Sequence, residues 1–294
     1  MTGKSEVIWI VASLFKHKIV IFAPTTSLCR QLFTEAKKRQ ISCWGSGDYA
    51  EEKILILTPD VAVKNNFAVV LSQIQIAAIF IDEAHLICQW EEFKGCYSLL
   101  KLVIQKCRSA CHLLSATLSD IDLNLVCHRL EVTMDTIVRT CSFNPLIDLL
   151  IGSGYDNDSI VEVAQQMPLT FPGRGIISIK IYKGIIYCLT KAECDSIFSL
   201  LETSKKQLYY GGLNLDVQKR NQENWMNELG STMVATTAFG YGIDADVAWV
   251  IIYRMPDTIQ DLVQMIGRVG RSPGFRCSAL LAFSKDDHES NPFY

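Results

Sequence analysis

No stretch of this chain reaches the roughly 18 consecutive apolar residues that a bilayer-spanning helix needs, so a membrane protein of that kind is not expected. The one apolar run near the start, Val7 to Phe15, follows a single lysine and is not followed by a small-residue cleavage site, which argues against a signal peptide. Eleven cysteines include no CxxC pair; Cys107 and Cys111 stand four apart, with no second pair at zinc-finger spacing. Structural zinc is therefore not expected, and free thiols in a reducing, intracellular setting fit better. Nor is there a surplus of positive charge: the formal net charge is -3, so a nucleic acid would have to be held by a local track of donors. Low-complexity tracts are missing as well.

What is present is the composition of a folded protein. Hydrophobic residues make up 49% and charged residues 20%, which excludes wholesale disorder, and 294 residues favour two domains of roughly 150 each. Short apolar runs rich in Ile and Val recur at Lys18 to Ala23, Lys53 to Leu57, Ala77 to Ile81, His112 to Leu114, Gly184 to Leu189, Thr232 to Ala235 and Trp249 to Tyr253. Runs of that length without alternation suit strands buried on both faces. Helical patterns lie between them, at Ser27 to Arg39, Ala192 to Leu201, Leu215 to Glu228 and Thr258 to Gly267. The alternation predicts an α/β protein with parallel sheets. The pattern is weakest over Phe143 to Pro172, which places a domain boundary near Ser142 to Asn144, giving domains of 1–143 and 144–294. Gly175-Ile176-Ile177 and Gly184-Ile185-Ile186 compete for one strand position, and the second is favoured because Thr190 to Glu193 turns into a helix after it.

Four groups of residues could carry chemistry. Gly3-Lys4-Ser5 matches the end of a phosphate-binding loop, in which the ammonium reaches nucleotide phosphates and the hydroxyl binds Mg²⁺; a plain helix N-terminus is the alternative. Asp82-Glu83-Ala84-His85 closes a buried strand, where Asp82 would hold Mg²⁺ and Glu83 would orient and deprotonate an attacking water; the alternative is an acidic surface turn. Ser115-Ala116-Thr117 could couple such a site to another surface, or could be an ordinary strand exit. In Gln264-Met265-Ile266-Gly267-Arg268-Val269-Gly270-Arg271, two guanidinium groups three apart could stabilise charge on a transferring phosphoryl group.

The order and spacing of these groups resemble a superfamily 2 helicase, and specifically the RecQ family of DNA helicases. Gly3 to Ser5 resembles motif I, Ala23 to Leu28 motif Ia, Leu57 to Asp60 the next DNA-contacting motif, Asp82 to His85 motif II and Ser115 to Thr117 motif III. Gly184 to Cys188, Ala235 to Asp244 and Gln264 to Arg271 resemble motifs IV, V and VI. The segment LICQWEEFKGCY, directly after His85, resembles the family's aromatic-rich loop.

The resemblance implies two tandem RecA-like domains, ATP and Mg²⁺ as cofactors, and single-stranded, duplex or forked DNA as partner, unwound 3′ to 5′. It implies ATP contacts from Gly3, Lys4, Ser5 and Asp82, with Ser5 and Asp82 on the metal, catalysis by Asp82, Glu83, Gln264, Arg268 and Arg271, and coupling through His85, Ser115 and Thr117. DNA contacts would come from Thr25, Ser27, Thr58 and Thr237 on sugar and phosphate, and from Trp90 and Phe93 by stacking. It further implies a nuclear role in DNA repair or recombination. The upstream glutamine motif, the first strand of domain one and the front of the phosphate loop have no counterpart here, so weak ATP hydrolysis is an expectation. A nucleic-acid-binding module without turnover and an RNA helicase are the competing readings.

Overall fold

The computed structural model describes residues 4–44, 52–64, 67–89, 96–107, 109–139, 146–167, 183–240, 245, 247–270, 276–284 and 287. The chain divides into two compact units, Met1–Ser142 and Phe143–Tyr294.

In the first unit, α1 (Lys4–Leu14) leads into β1 (Lys18–Phe22), α2 (Thr26–Lys38), β2 (Cys43–Trp44), β3 (Ile54–Leu57), α3 (Pro59–Lys64), α4 (Phe67–Ser72) and β4 (Ile76–Ile81). Then come α5 (Leu86–Gln89), α6 (Cys96–Cys107), β5 (Ala110–Leu113) and α7 (Asp120–Leu130). The strands form one parallel sheet in the order β2-β3-β1-β4-β5. β1 and β3 are buried on both faces, because consecutive apolar residues alternate across the pleat and each face meets a helical layer. Ile19, Ile21, Ile54, Ile56 and Phe80 pack with Ile8, Trp9 and Ala12 of α1 and with Leu32 and Ala36 of α2. Each such large side chain, fully buried, contributes roughly 1.5–3 kcal/mol.

The second unit runs β6 (Ile147–Tyr155), α8 (Asn157–Gln166), β7 (Lys183–Tyr187), α9 (Lys191–Leu200), β8 (Lys206–Tyr209), α10 (Leu215–Asn227) and β9 (Thr232–Ala235). A 3-10 turn (Thr237–Gly240), β10 (Val247–Tyr253), α11 (Ile259–Ile266) and β11 (Cys277–Ser284) complete it. Its parallel sheet has the order β6-β11-β10-β7-β9-β8. Alternate residues feed two cores: Ile186, Trp249 and Ile251 join α8 and α9 on one side, while Ile185, Tyr187, Val250 and Ile252 join Trp225, Phe239 and Met265 on the other.

The expected α/β class with parallel sheets is what the structure shows. The weak stretch Phe143 to Pro172 is corrected in part, since it holds β6 and α8, the latter N-capped by Asp156. β2, β8 and β11 were also not foreseen. Of the two competing Gly-Ile-Ile segments the second forms β7, and the first lies outside the described residues.

Candidate nucleotide and nucleic-acid site

At the C-terminal edge of the first sheet, Leu57, Phe22, Ile81 and Leu113 stand in one register row on four adjacent strands. This is the edge where ligands bind in open parallel α/β sheets. The ladder continues one rung further: Asp82 N–H donates to Phe22 O and Leu114 N–H to Ile81 O, both at 2.9 Å, and Ala84 N–H then donates to Leu114 O at 2.9 Å. Backbone bonds thus fix both ends of Asp82–Ala84. Between them Glu83 adopts φ +50°, an uncommon conformation for a residue with a β-carbon and one that flanking structure must hold.

Asp82 is only 8% exposed, and its Oδ1 accepts from Glu83 N–H at 3.0 Å. Burial, reinforced by the Glu83 charge, pushes its carboxyl up to about 6, against the opposing pull of Lys4 and of that hydrogen bond. Lys4 opens α1, and its ammonium lies 3.5 Å from Glu83 Oε1. The two readings of Gly3-Lys4-Ser5 therefore meet: Lys4 is at a helix N-terminus and also beside the acidic pair. Ser5 follows it on the exposed surface of α1, and Gly3 lies outside the described residues.

His85 is buried, with Nδ1 3.5 Å from Glu83 Oε2 and hydrogen-bonded to Ser115 Oγ at 2.9 Å; Ser115 Oγ accepts from Thr117 N–H at 3.2 Å. Lys4, Glu83, His85, Ser115 and Thr117 thus form one polar chain across the edge. Within it, Glu83 Oε2 and Thr117 Oγ1 are buried without a hydrogen bond among the described residues. A buried carboxyl beside a carboxylate oxygen that accepts no hydrogen bond among the described residues is a donor set suited to a hard divalent cation carrying phosphate, so the residues fit Mg²⁺ with a nucleotide.

The remaining expected residues divide by position. Thr25 caps α2, its Oγ1 accepting from Leu28 N–H at 3.2 Å; Ser27, two residues on, is half-buried. Thr58 is buried directly after β3, and its carbonyl accepts from Val61 and Ala62. Thr25 and Thr58 share the C-terminal edge with Asp82. In the second unit, α11 packs against the turn that Thr237 opens. On it Gln264 is half-buried, and Arg268, 9% exposed, follows the C-cap Gly267. Trp90, Phe93 and Arg271 lie outside the described residues.

Sequence reasoning missed Arg254, at φ +70°, whose Nε lies 2.7 Å from Glu193 Oε1 and whose Nη1 lies 3.7 Å from Asp287 Oδ1. The Thr190-x-x-Glu193 capping box was the only signal pointing there.

The DEAD/DEAH box helicase family model matches residues 2–125, and the model of the helicase conserved C-terminal domain matches residues 175–273. The chain belongs to the DEAD/DEAH box helicases. This helicase chain is 26% identical over 306 residues to ATP-dependent DNA helicase RecQ of Bacillus subtilis, covering 97% of the chain and 50% of that protein. It is 27% identical over 319 residues to RecQ-like DNA helicase blm-1 of Caenorhabditis elegans, covering 97% of the chain and 31% of that protein. The helicase chain thus spans half or less of these curated relatives. Among solved structures, Dbp5 of Saccharomyces cerevisiae bound to RNA and ADP BeF3 superposes with TM-score 0.71 at 16% identity, over 98% of this chain and 78% of that one. Helicase Lhr of Mycobacterium smegmatis, bound to ssDNA and AMP-PNP, gives 0.69 at 15% identity, over 96% and 42%. Both likenesses are of fold, the tandem RecA-like helicase domains.

Proposed function

We propose that the chain is an ATP-dependent DNA helicase of RecQ type, acting 3′ to 5′ along single-stranded DNA to open duplex or forked DNA in the nucleus. The observation that carries this reading is the approach of Lys4 to Glu83 at 3.5 Å, beside the buried Asp82 at the C-terminal end of β4. The RecQ names of the curated relatives support DNA as the strand acted upon.

In this reading Lys4 and the backbone at the start of α1 take the β and γ phosphates of ATP, and Ser5 and Asp82 hold Mg²⁺. The ion, when bound, would spread the charge on the transferring phosphoryl group. Glu83 then orients the attacking water and accepts its proton, a role that needs the carboxylate held still; its left-handed backbone and its neighbours Lys4 and His85 do so. Arg268 and Arg271 of the second unit supply permanently charged guanidinium groups at the transition state, and Gln264 a neutral amide donor. The His85–Ser115 bond passes the change on to Thr117. Thr25, Ser27, Thr58 and Thr237 grip sugar and phosphate without reading sequence, while Trp90 and Phe93 stack on bases.

The test is steady-state ATP hydrolysis with no polynucleotide, with single-stranded DNA and with RNA. We expect turnover stimulated more by DNA, and a fall of at least about 100-fold in Glu83→Gln. Salt-sensitive DNA binding without turnover would instead make the chain a binding module, and preferential stimulation by RNA would reassign its substrate.

A further inference from the structure

α5 is a single helical turn directly after His85, too short to bond its own carbonyls. Two of those carbonyls are satisfied from elsewhere: Arg129 Nη1, on α7, donates to Ile87 O at 2.5 Å and to Cys88 O at 3.3 Å. Cys88 Sγ in turn donates to Asp122 O, also on α7, at 3.6 Å. The C-terminal end of α7, which carries Arg129, reaches α6 as well. Glu131, its C-cap at φ +53°, accepts from Lys101 Nζ at 2.8 Å and from Gln105 Nε2 at 2.7 Å. Residues 129 and 131 therefore hold both helices that flank residues 90–95, which lie outside the described residues.

The other end of α7 begins just beyond the polar chain of the site. Its N-cap Ser119 accepts from Asp122 N–H at 3.1 Å and stands two residues after Thr117. Ser115, the partner of His85, is two residues before Thr117. The connections close into a ring: His85 to α5 along the chain, α5 to α7 through Arg129, α7 back to Ser115 along the chain, and Ser115 to His85 by a hydrogen bond. A displacement of α5 or α6 would be passed by one rigid helix to the residue that contacts His85, and so to Glu83.

We propose that Arg129 is a positioning residue that couples the α5 and α6 stems to the Glu83–His85–Ser115 chain, so that nucleic acid bound beside those stems sets the rate of ATP hydrolysis. The inference rests on the function proposed above and deepens it. Arg129 touches neither substrate nor reacting atoms, and no motif of the sequence marks it. Its planar guanidinium can serve two carbonyls of one turn at once, which a shorter or neutral side chain cannot.

The experiment compares wild type, Arg129→Ala and Arg129→Lys for basal and oligothymidylate-stimulated ATP turnover, thermal melting, and hydrogen exchange over residues 113–119 with and without oligothymidylate. Arg129→Ala should lower the ratio of stimulated to basal turnover roughly tenfold, the size of one lost charge-assisted hydrogen bond, and Arg129→Lys should recover part of it. Oligothymidylate should slow exchange over 113–119 in wild type and not in Arg129→Ala. An unchanged ratio, or basal and stimulated rates falling in proportion with a lowered melting temperature and no recovery by Lys, would overturn the proposal. A wild type that binds oligothymidylate without turning over ATP would sink the functional reading alone; the exchange data then decide the coupling. Absence of oligothymidylate binding would overturn the coupling as well.

Discussion

Gly184 and Trp249 face each other across adjacent strands β7 and β10, and a β-carbon built on Gly184 would fall 1.9 Å from Cζ2 of the indole ring. The Gly184 carbonyl also accepts from Trp225 Nε1 at 3.3 Å, so one glycine is engaged by two buried tryptophans. Gly184→Ala should therefore destabilise the second unit by about 1–3 kcal/mol, through overpacking and displacement of the Trp249 ring. Urea melts followed by tryptophan fluorescence would show it, and an unchanged midpoint would contradict the packing described.

Asp82 gives a pH dependence whose sign is fixed by its environment. Its carboxyl is pushed up to about 6, above the unfolded value near 4, chiefly by burial. The proton is bound more tightly in the folded chain, so the associated stability is fully present below about pH 4 and lost as pH rises through about 6. In metal-free buffer Asp82→Asn should melt higher than wild type at pH 7.5, by about 2–4 °C per kcal/mol relieved, with the gap closing below pH 4. A gap that stays constant over that range would exclude the mechanism.

Thr117 sets stability against function. Its Oγ1 is buried without a hydrogen bond among the described residues, so Thr117→Val, which keeps the shape, should raise the melting temperature by removing a desolvated hydroxyl, a gain of about 1 kcal/mol. If Thr117 serves coupling, the same variant should turn over ATP with less stimulation by single-stranded DNA. Loss of stability in Thr117→Val would show that the hydroxyl has a partner.

Glu193 serves two ends at once. Its Oε2 accepts from the backbone N–H of Leu189 and Thr190 at 3.1 and 3.0 Å, completing the cap of α9, while Oε1 meets Arg254. Glu193→Ala should cost about 2 kcal/mol by chemical denaturation, and Glu193→Gln clearly less, because an amide oxygen still accepts from the backbone. Equal losses in the two variants would place the effect on charge alone.

How far the sequence could be followed depended on what surrounds each strand. β1, β3, β4, β7, β9 and β10 were legible because burial on both faces writes continuous apolar runs, as in Lys18–Phe22 and Val247–Tyr253. β8 and β6 are edge strands: Lys206–Tyr209 is half-buried and polar at its start, and Ile147–Tyr155 carries glycines at 152 and 154, so neither has a strand's usual signature. The segment Cys277–Ser284 is buried except at half-buried Ser278, but its small residues Ser278, Ala279 and Ala282 dilute the apolar signal. At the site, Asp82, Glu83 and Lys4 were readable because motif spacing names residues that the sheet edge later brings together. Arg129 was not, since its role is to satisfy carbonyls of a turn that only the fold sets beside it.

β6 is the outermost strand of its sheet, and Leu149, Leu150 and Ile151 on it are 51%, 51% and 67% exposed. Asp148 near its start lies 3.9 Å from Arg276, and Asp156 follows its last residue. A nine-residue strand at the edge of the described sheet, with three adjacent apolar side chains between Asp148 and Asp156, offers a template for sheet-to-sheet growth. Solubility on concentration or warming should thus be governed by this seam more than by the nucleotide site, and a single gatekeeper such as Ile151→Lys should prolong clarity of the solution without touching catalysis.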